Sequence, residues 1–102
     1  MEDITVVVAK PKEQPEVRKV ANTLEAFQKL VGGYIETLTD ISNPDHLVVI
    51  NEERRIIGLS YNRNVFGYSV VGPIVAVART DDEFSSLTET EVEYYMNLFR
   101  LR

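Results

Sequence analysis

The sequence predicts an α+β fold, a mostly antiparallel sheet with two helices packed on it in the order β-β-α-β-β-β-β-α. Three observations carry that expectation. Residues 24–36 read L-E-A-F-Q-K-L-V-G-G-Y-I-E, an amphipathic helix that a glycine pair stops and that turns straight into a strand. Residues 4–10 are a β-branched run closed by Pro11. Thr88-x-x-Glu91 is a capping box that opens a last helix.

Taken in order, residues 4–10 (I-T-V-V-V-A-K) suit a strand buried on both faces, because the apolar run does not alternate. Residues 11–15 hold two prolines, which supply no ladder donors and restrict their predecessors, so they form a loop. Residues 16–21 make a short second strand. Asn22 is placed as the N-cap of the first helix, with Glu25 completing a capping box. Leu24, Phe27, Leu30 and Val31 share one stripe at helical spacing, opposite Glu25, Gln28 and Lys29. Gly32 suits the left-handed residue that ends a helix, and residues 34–39 then alternate as a strand.

Asn43-Pro44 marks a turn. Residues 46–50 and 55–59 are two apolar runs around Asn51-Glu52-Glu53-Arg54, expected to pair as a hairpin. Residues 60–65 are polar, and residues 66–78 are strand-like but interrupted by Gly72-Pro73, giving two strands or one with a kink. In the final helix Leu87 and Val92 form a hydrophobic staple, and Val92, Tyr95, Met96 and Phe99 make one apolar face. Tyr94, Leu98 and Leu101 make a second stripe on nearly the opposite side. A helix apolar on two sides is buried between layers or shared with a partner, so these three are the candidate interface of a homo-oligomer.

At 102 residues the chain is one domain, residues 1–102, with 44% hydrophobic and 26% charged residues, as in an ordinary globular protein. The absence of cysteine removes disulfides, thiolate nucleophiles and cysteine-based metal sites. The acidic start lacks the basic and long apolar regions of a signal peptide, and no run approaches a membrane span, so a cytoplasmic location is expected. Net charge is −5, spread as balance over residues 1–33 and acidic excess beyond. Nucleic-acid binding depends on Lys and Arg neutralising phosphates, so this balance argues against it.

Few residues are equipped for catalysis. His46 is the only histidine, and its neighbour Asp45 does not orient it as a base. Asp81-Asp82-Glu83 lacks the spacing of a cation loop, so no metal and no cofactor are expected. Gly32-Gly33 lies at a helix C-terminus, where the dipole repels anions. The cluster suited to a ligand is Tyr34, Glu36, Asn51, Tyr61, Asn62 and Arg63. Arg63 can fork onto a phosphate or carboxylate, Asn62 can read a base edge or ribose, Tyr34 or Tyr61 can stack on a ring, and Glu36 can accept from a ribose diol. Each also has a structural use as a turn former, an ion pair or a core-edge residue.

With those residues in view, the chain resembles a family of small proteins from bacteriophages, plasmids and mobile elements, a domain of unknown function. The pieces that carry the resemblance are V-G-G-Y-I-E within residues 24–36 and N-E-E with G-L-S-Y-N-R further on. Relatives often carry proline after Gly-Leu, where this chain has Ser60. The resemblance implies a phage-type accessory protein. By analogy with other small phage proteins, it points to a non-catalytic binder that sequesters a small nucleotide-derived signal, such as a cyclic dinucleotide or cyclic ADP-ribose, against host defence. The alternative is an inhibitor or adaptor that meets a host protein through an apolar helix face or sheet edge. An enzyme is the least favoured class, although Glu36, Glu52 or Glu53 can in principle act as base on a phosphodiester.

Overall fold

A computed structural model describes residues 3–101. Its elements are β1 (Asp3–Ala9), β2 (Glu16–Ala21), α1 (Leu24–Val31), β3 (Ile35–Asp40), β4 (Asn43–Asn51), β5 (Tyr61–Val65), β6 (Tyr68–Val71), β7 (Ile74–Thr80), β8 (Glu83–Ser85) and α2 (Glu89–Leu98). The main sheet runs β2-β1-β7-β4-β3, with β8 added to the end of β7, and every pairing in it is antiparallel. A separate hairpin, β5-β6, makes a second small sheet. The α+β class and the order of strands and helices follow the expectation. The stretch between the helices is divided more finely, because a Phe66-Gly67 turn makes β5-β6 and an Asp81-Asp82 turn makes β8.

The three central strands are apolar without alternation because both of their faces are covered. Val6 and Val8 of β1, Leu47 and Val49 of β4, and Val75 and Val77 of β7 pack with Phe27 and Val31 of α1. The intervening Val7, Ala9, Val48, Ile50, Ile74 and Ala76 pack on the other side with Tyr95 and Phe99 of α2 and with Val65 and Val70 of the hairpin. The layers are therefore α1, then the sheet, then α2 beside the hairpin.

Three local expectations are corrected. The N-cap of α1 is Thr23, not Asn22. Its hydroxyl accepts from the Ala26 amide at 3.1 Å, while Asn22 donates to the Phe84 carbonyl at 2.9 Å. With Thr23 as cap, Glu25 falls one position short of the place that closes a capping box, and Leu24 turns out to solvent. Residues 55–59 form no strand. Asn51 ends β4 by accepting from the Glu53 amide, and the backbone then coils through Ile57-to-Glu53 and Leu59-to-Arg54 bonds. Ile56 is 84% exposed in consequence. Finally, Asn43-Pro44 begins β4, and the turn is confined to Ile41-Ser42 beside a bulge at Thr39/Asp40.

Both helix ends are otherwise as the sequence implies. Gly32 sits at φ +83 and returns its amide to the Gln28 carbonyl at 2.8 Å, a conformation costly for any residue with a Cβ. Thr88 and Glu91 close the reciprocal capping box of α2 at 3.2 and 2.9 Å. Among the described residues no helix is long and apolar enough to cross a membrane.

Candidate functional site

The six candidate ligand residues are divided between the two faces of the sheet. Residues paired across a ladder point to the same side. Asn51 therefore lies on the α1 side with its partner Ile35, and Glu36 lies on the opposite side with its partner Ile50. Asn51 is fully buried. Its amide donates to the Val31 carbonyl at 3.0 Å, closing the end of α1, and its oxygen accepts from Glu53 at 2.8 Å. Tyr34 is 64% exposed, with its carbonyl bound to the Glu52 amide at 2.8 Å. Glu36 stands 3.6 Å from Arg54.

Asn62 and Arg63 lie on the α2 side. Consecutive strand residues ordinarily point to opposite faces, yet both of these are buried, because the β5-β6 register shifts between Tyr61 and Arg63. The Asn62 amide donates to the Ala9 and Gly72 carbonyls, each at 2.8 Å, and its oxygen accepts from Arg63 Nε. Arg63 sends its remaining nitrogens to the carbonyls of Lys10 at 2.9 Å, Glu13 at 2.6 Å and Phe99. The guanidinium thus ties the β1–β2 loop and the C-terminal end of α2 to β5. Three of its N–H groups go to backbone carbonyls and Nε goes to the Asn62 side chain, so little of its fork is left to meet a ligand in this conformation. Burial pulls its pKa below the ordinary value, with Tyr61 acting the other way, but a guanidinium stays charged.

In front of this pair lies an open groove of about 640 Å³ lined by Lys12, Ser60, Tyr61, Asn62 and Leu101. Three segments build it. Lys12 stands at φ +64 in the turn that follows β1. Leu101 is strapped down by Gln14, which donates to its carbonyl and accepts from its amide, both at 2.9 Å. The start of β5 supplies Ser60, Tyr61 and Asn62, and Tyr61 is 53% exposed. Of the sequence candidates, Tyr61 and Asn62 line the groove, with Arg63 behind them. Sequence reasoning missed Lys12 and Ser60 and placed Leu101 in an oligomer stripe. The available signal for Lys12 was its place between two prolines in a tight turn.

The family model DUF3846, a domain of unknown function, matches residues 4–100. The chain belongs to that family. No curated protein and no solved structure matches it.

Elsewhere in this DUF3846 chain, His46 is closer to a carboxylate than its sequence neighbours suggest. Asp40 approaches Nδ1 at 3.6 Å, Asn43 lies 3.3 Å from Nε2, and the Tyr94 ring stacks on the imidazole with centroids 4.5 Å apart. The nearby Ser42 hydroxyl donates to Asp40 at 2.7 Å, not to His46, so the trio is not arranged as nucleophile, base and orienter. Ser42's hydroxyl and then its amide hold the Asp40 carboxyl below its ordinary range. Among the described residues no three His, Asp or Glu side chains are grouped to hold a metal ion. Of the second stripe, Tyr94 and Leu98 lie four apart on α2 and are both part-exposed, whereas Leu101 lies beyond the end of the helix. Tyr94 turns onto His46, Leu101 lines the groove, and Leu98 remains 39% exposed.

Proposed function

We propose that this chain is a non-catalytic binding module that holds a small nucleotide-derived molecule, such as a cyclic dinucleotide or cyclic ADP-ribose. The observation that carries the reading is the groove. Its volume of about 640 Å³ falls in the range of small-ligand sites, roughly 300–1,000 Å³. The exposed Tyr61 ring offers a stacking surface for a base, and Lys12 and Ser60 offer polar contacts at the same opening. Among the described residues the lining holds no carboxylate or imidazole to act as a base, which favours holding over cleavage. The resemblance to bacteriophage and plasmid proteins suggests the setting, capture of a host defence signal in the host cytoplasm by a homo-oligomer joined around Leu98.

The test is a thermal-shift screen against cyclic dinucleotides, cyclic ADP-ribose isomers and ordinary nucleotides, with mass spectrometry of the recovered ligand. A ligand at a hundred times its dissociation constant adds about 2.7 kcal/mol, which moves a domain of this size by several degrees. Recovery of intact ligand is expected. Recovery of a cleaved product, or no shift with any of these compounds, overturns the reading.

A second reading, an adaptor or inhibitor of a host protein, is favoured by one feature. The loop after β4 carries Ile56 and Ile57, 84% and 52% exposed, on a backbone bonded through Glu52 to exposed Tyr34. A partner captured from host lysate should be lost in Ile56→Ser if that surface is used; capture at wild-type strength removes it.

A further inference from the structure

We infer that the groove selects an anion, with Lys12 contacting a phosphate directly and Arg63 acting behind it as a positioning residue. The inference rests on the groove being the ligand site. Two independent observations carry it.

The first is local charge. Among the described residues that line the groove, Lys12 is the one charged side chain, and Arg63 stands directly behind Asn62. The chain as a whole has net charge −5. A basic lining residue backed by a second cation, set in an acidic protein, favours anions at that opening.

The second is the state of Arg63. Its partners are three carbonyls and an amide oxygen, which engage most of its N–H groups and are themselves uncharged. Among the described residues no carboxylate lies within ion-pair distance of it. The residue is 7% exposed, so water screens it less than a surface arginine, and its charge adds to the potential of the adjoining groove. Lys12 stands at the mouth of that groove on an exposed turn, and it too has no ion pair among the described residues. The turn that presents Lys12 is held on both sides by Arg63, through the carbonyls of Lys10 and Glu13. One guanidinium therefore fixes the loop that carries the contact residue and supplies part of the potential that residue works in.

The consequence is a ranking of ligands by charge. Phosphate-bearing molecules should bind more tightly than neutral ones of the same ring, and binding should weaken as salt rises.

The test is a titration of ¹⁵N-labelled protein with inorganic pyrophosphate, a probe that lacks a base. Saturable shifts are expected at amides of residues 10–14, 60–63 and 99–101, with affinity falling severalfold between 50 and 200 mM salt. Lys12→Met, on an exposed side chain with no ion pair among the described residues, should keep the wild-type melting point and lose about tenfold in affinity. Arg63→Lys keeps the charge and Arg63→Met removes it. Measured on folded protein, the salt dependence should persist in the first and flatten in the second, a difference that a purely structural role would not produce. Unmoved amides in those segments, shifts scattered over the other basic residues, or wild-type affinity in Lys12→Met overturn the inference. Adenosine and cyclic di-AMP separate the two levels of argument. If both shift Tyr61 equally and pyrophosphate shifts nothing, anion selection falls and the ligand reading stands. If pyrophosphate binds and no nucleoside or nucleotide does, anion selection stands and the nucleotide reading falls.

Discussion

Replacing Asn62 by alanine should cost this protein a large share of its stability. The side-chain amide satisfies two buried carbonyls, Ala9 at the end of β1 and Gly72 between β6 and β7, each at 2.8 Å. Its oxygen is also the acceptor for Arg63 Nε. Alanine leaves both carbonyls without a donor, and each unsatisfied buried group costs about 1–3 kcal/mol. Allowing for relaxation, the loss is about 2–5 kcal/mol, against a total of about 5–15 kcal/mol for a domain. At about 4 °C per kcal/mol for a domain of this size, the melting point should fall by on the order of 10–20 °C. In urea, with a slope of about 1–2 kcal/mol/M, the midpoint should drop by roughly 2 M. The chain has no tryptophan, so far-UV circular dichroism is the suitable probe. Asn64→Ala is the control, because Asn64 is exposed and makes only a 3.4 Å contact with Tyr61; it should stay within about 0.5 kcal/mol of wild type. A melting point for Asn62→Ala within about 2 °C of wild type would refute the reasoning. The two carbonyls would then have other donors, and Asn62 would be free to meet a ligand.

Further predictions test the helix ends and the acid limb. Gly32→Ala meets no atom within 4 Å, so its cost is the left-handed backbone alone, about 1–2 kcal/mol, readable as a lower urea midpoint. Thr88→Ala breaks the capping box and should cost about 1 kcal/mol, and at α1 Thr23→Ala should lower its helicity where Asn22→Ala, which loses only the bond to the Phe84 carbonyl, does not; the reverse order would contradict the assignment. Asp40 has a depressed pKa in the folded state, so the stability it contributes is present above the unfolded value of about 3.9 and is lost as pH falls through the folded one. The gap in midpoint between wild type and Asp40→Asn should therefore narrow from pH 5 to pH 2, and a constant gap would count against it.

The fold was legible where one physical cause acts alone. The apolar runs of β1 and β7 require cover on both faces, and α1 and α2 provide it. Gly32 can end a helix in a way few residues can, and the Thr88 box names its own helix start. Legibility failed where two residues compete for one role or where geometry reverses a pattern. Asn22 and Thr23 are both good caps, and only the distant carbonyl of Phe84 decides between them by engaging Asn22. The apolar run at residues 55–59 looks like a strand, but both edges of β4 are taken, by β3 and β7, so it has no partner there. Tyr61 was identified as a stacking residue from its polar neighbourhood, and it lines the groove. Lys12 and Ser60 join it only because the chain ends of β1 and α2 meet beside β5, which no local pattern records.

The same geometry explains why Asn62 and Arg63 read as ligand residues. Five carbonyls, from Ala9, Lys10, Glu13, Gly72 and Phe99, converge where β1, the hairpin and α2 end. Chain ends of this kind are short of donors, and buried carbonyls cannot be left unpaired. A bulge lets two consecutive side chains face inward, and Asn and Arg together bring enough N–H donors to reach all five carbonyls. Donor-rich side chains in a polar strand are also what a phosphate site would use, so residue type alone does not separate the two roles. What separates them is that hydrogen bonds to carbonyls exhaust donors and leave charge intact. Arg63 is therefore largely committed to the fold while keeping its charge beside the groove, whereas among the described residues the Lys12 side chain has no such partner.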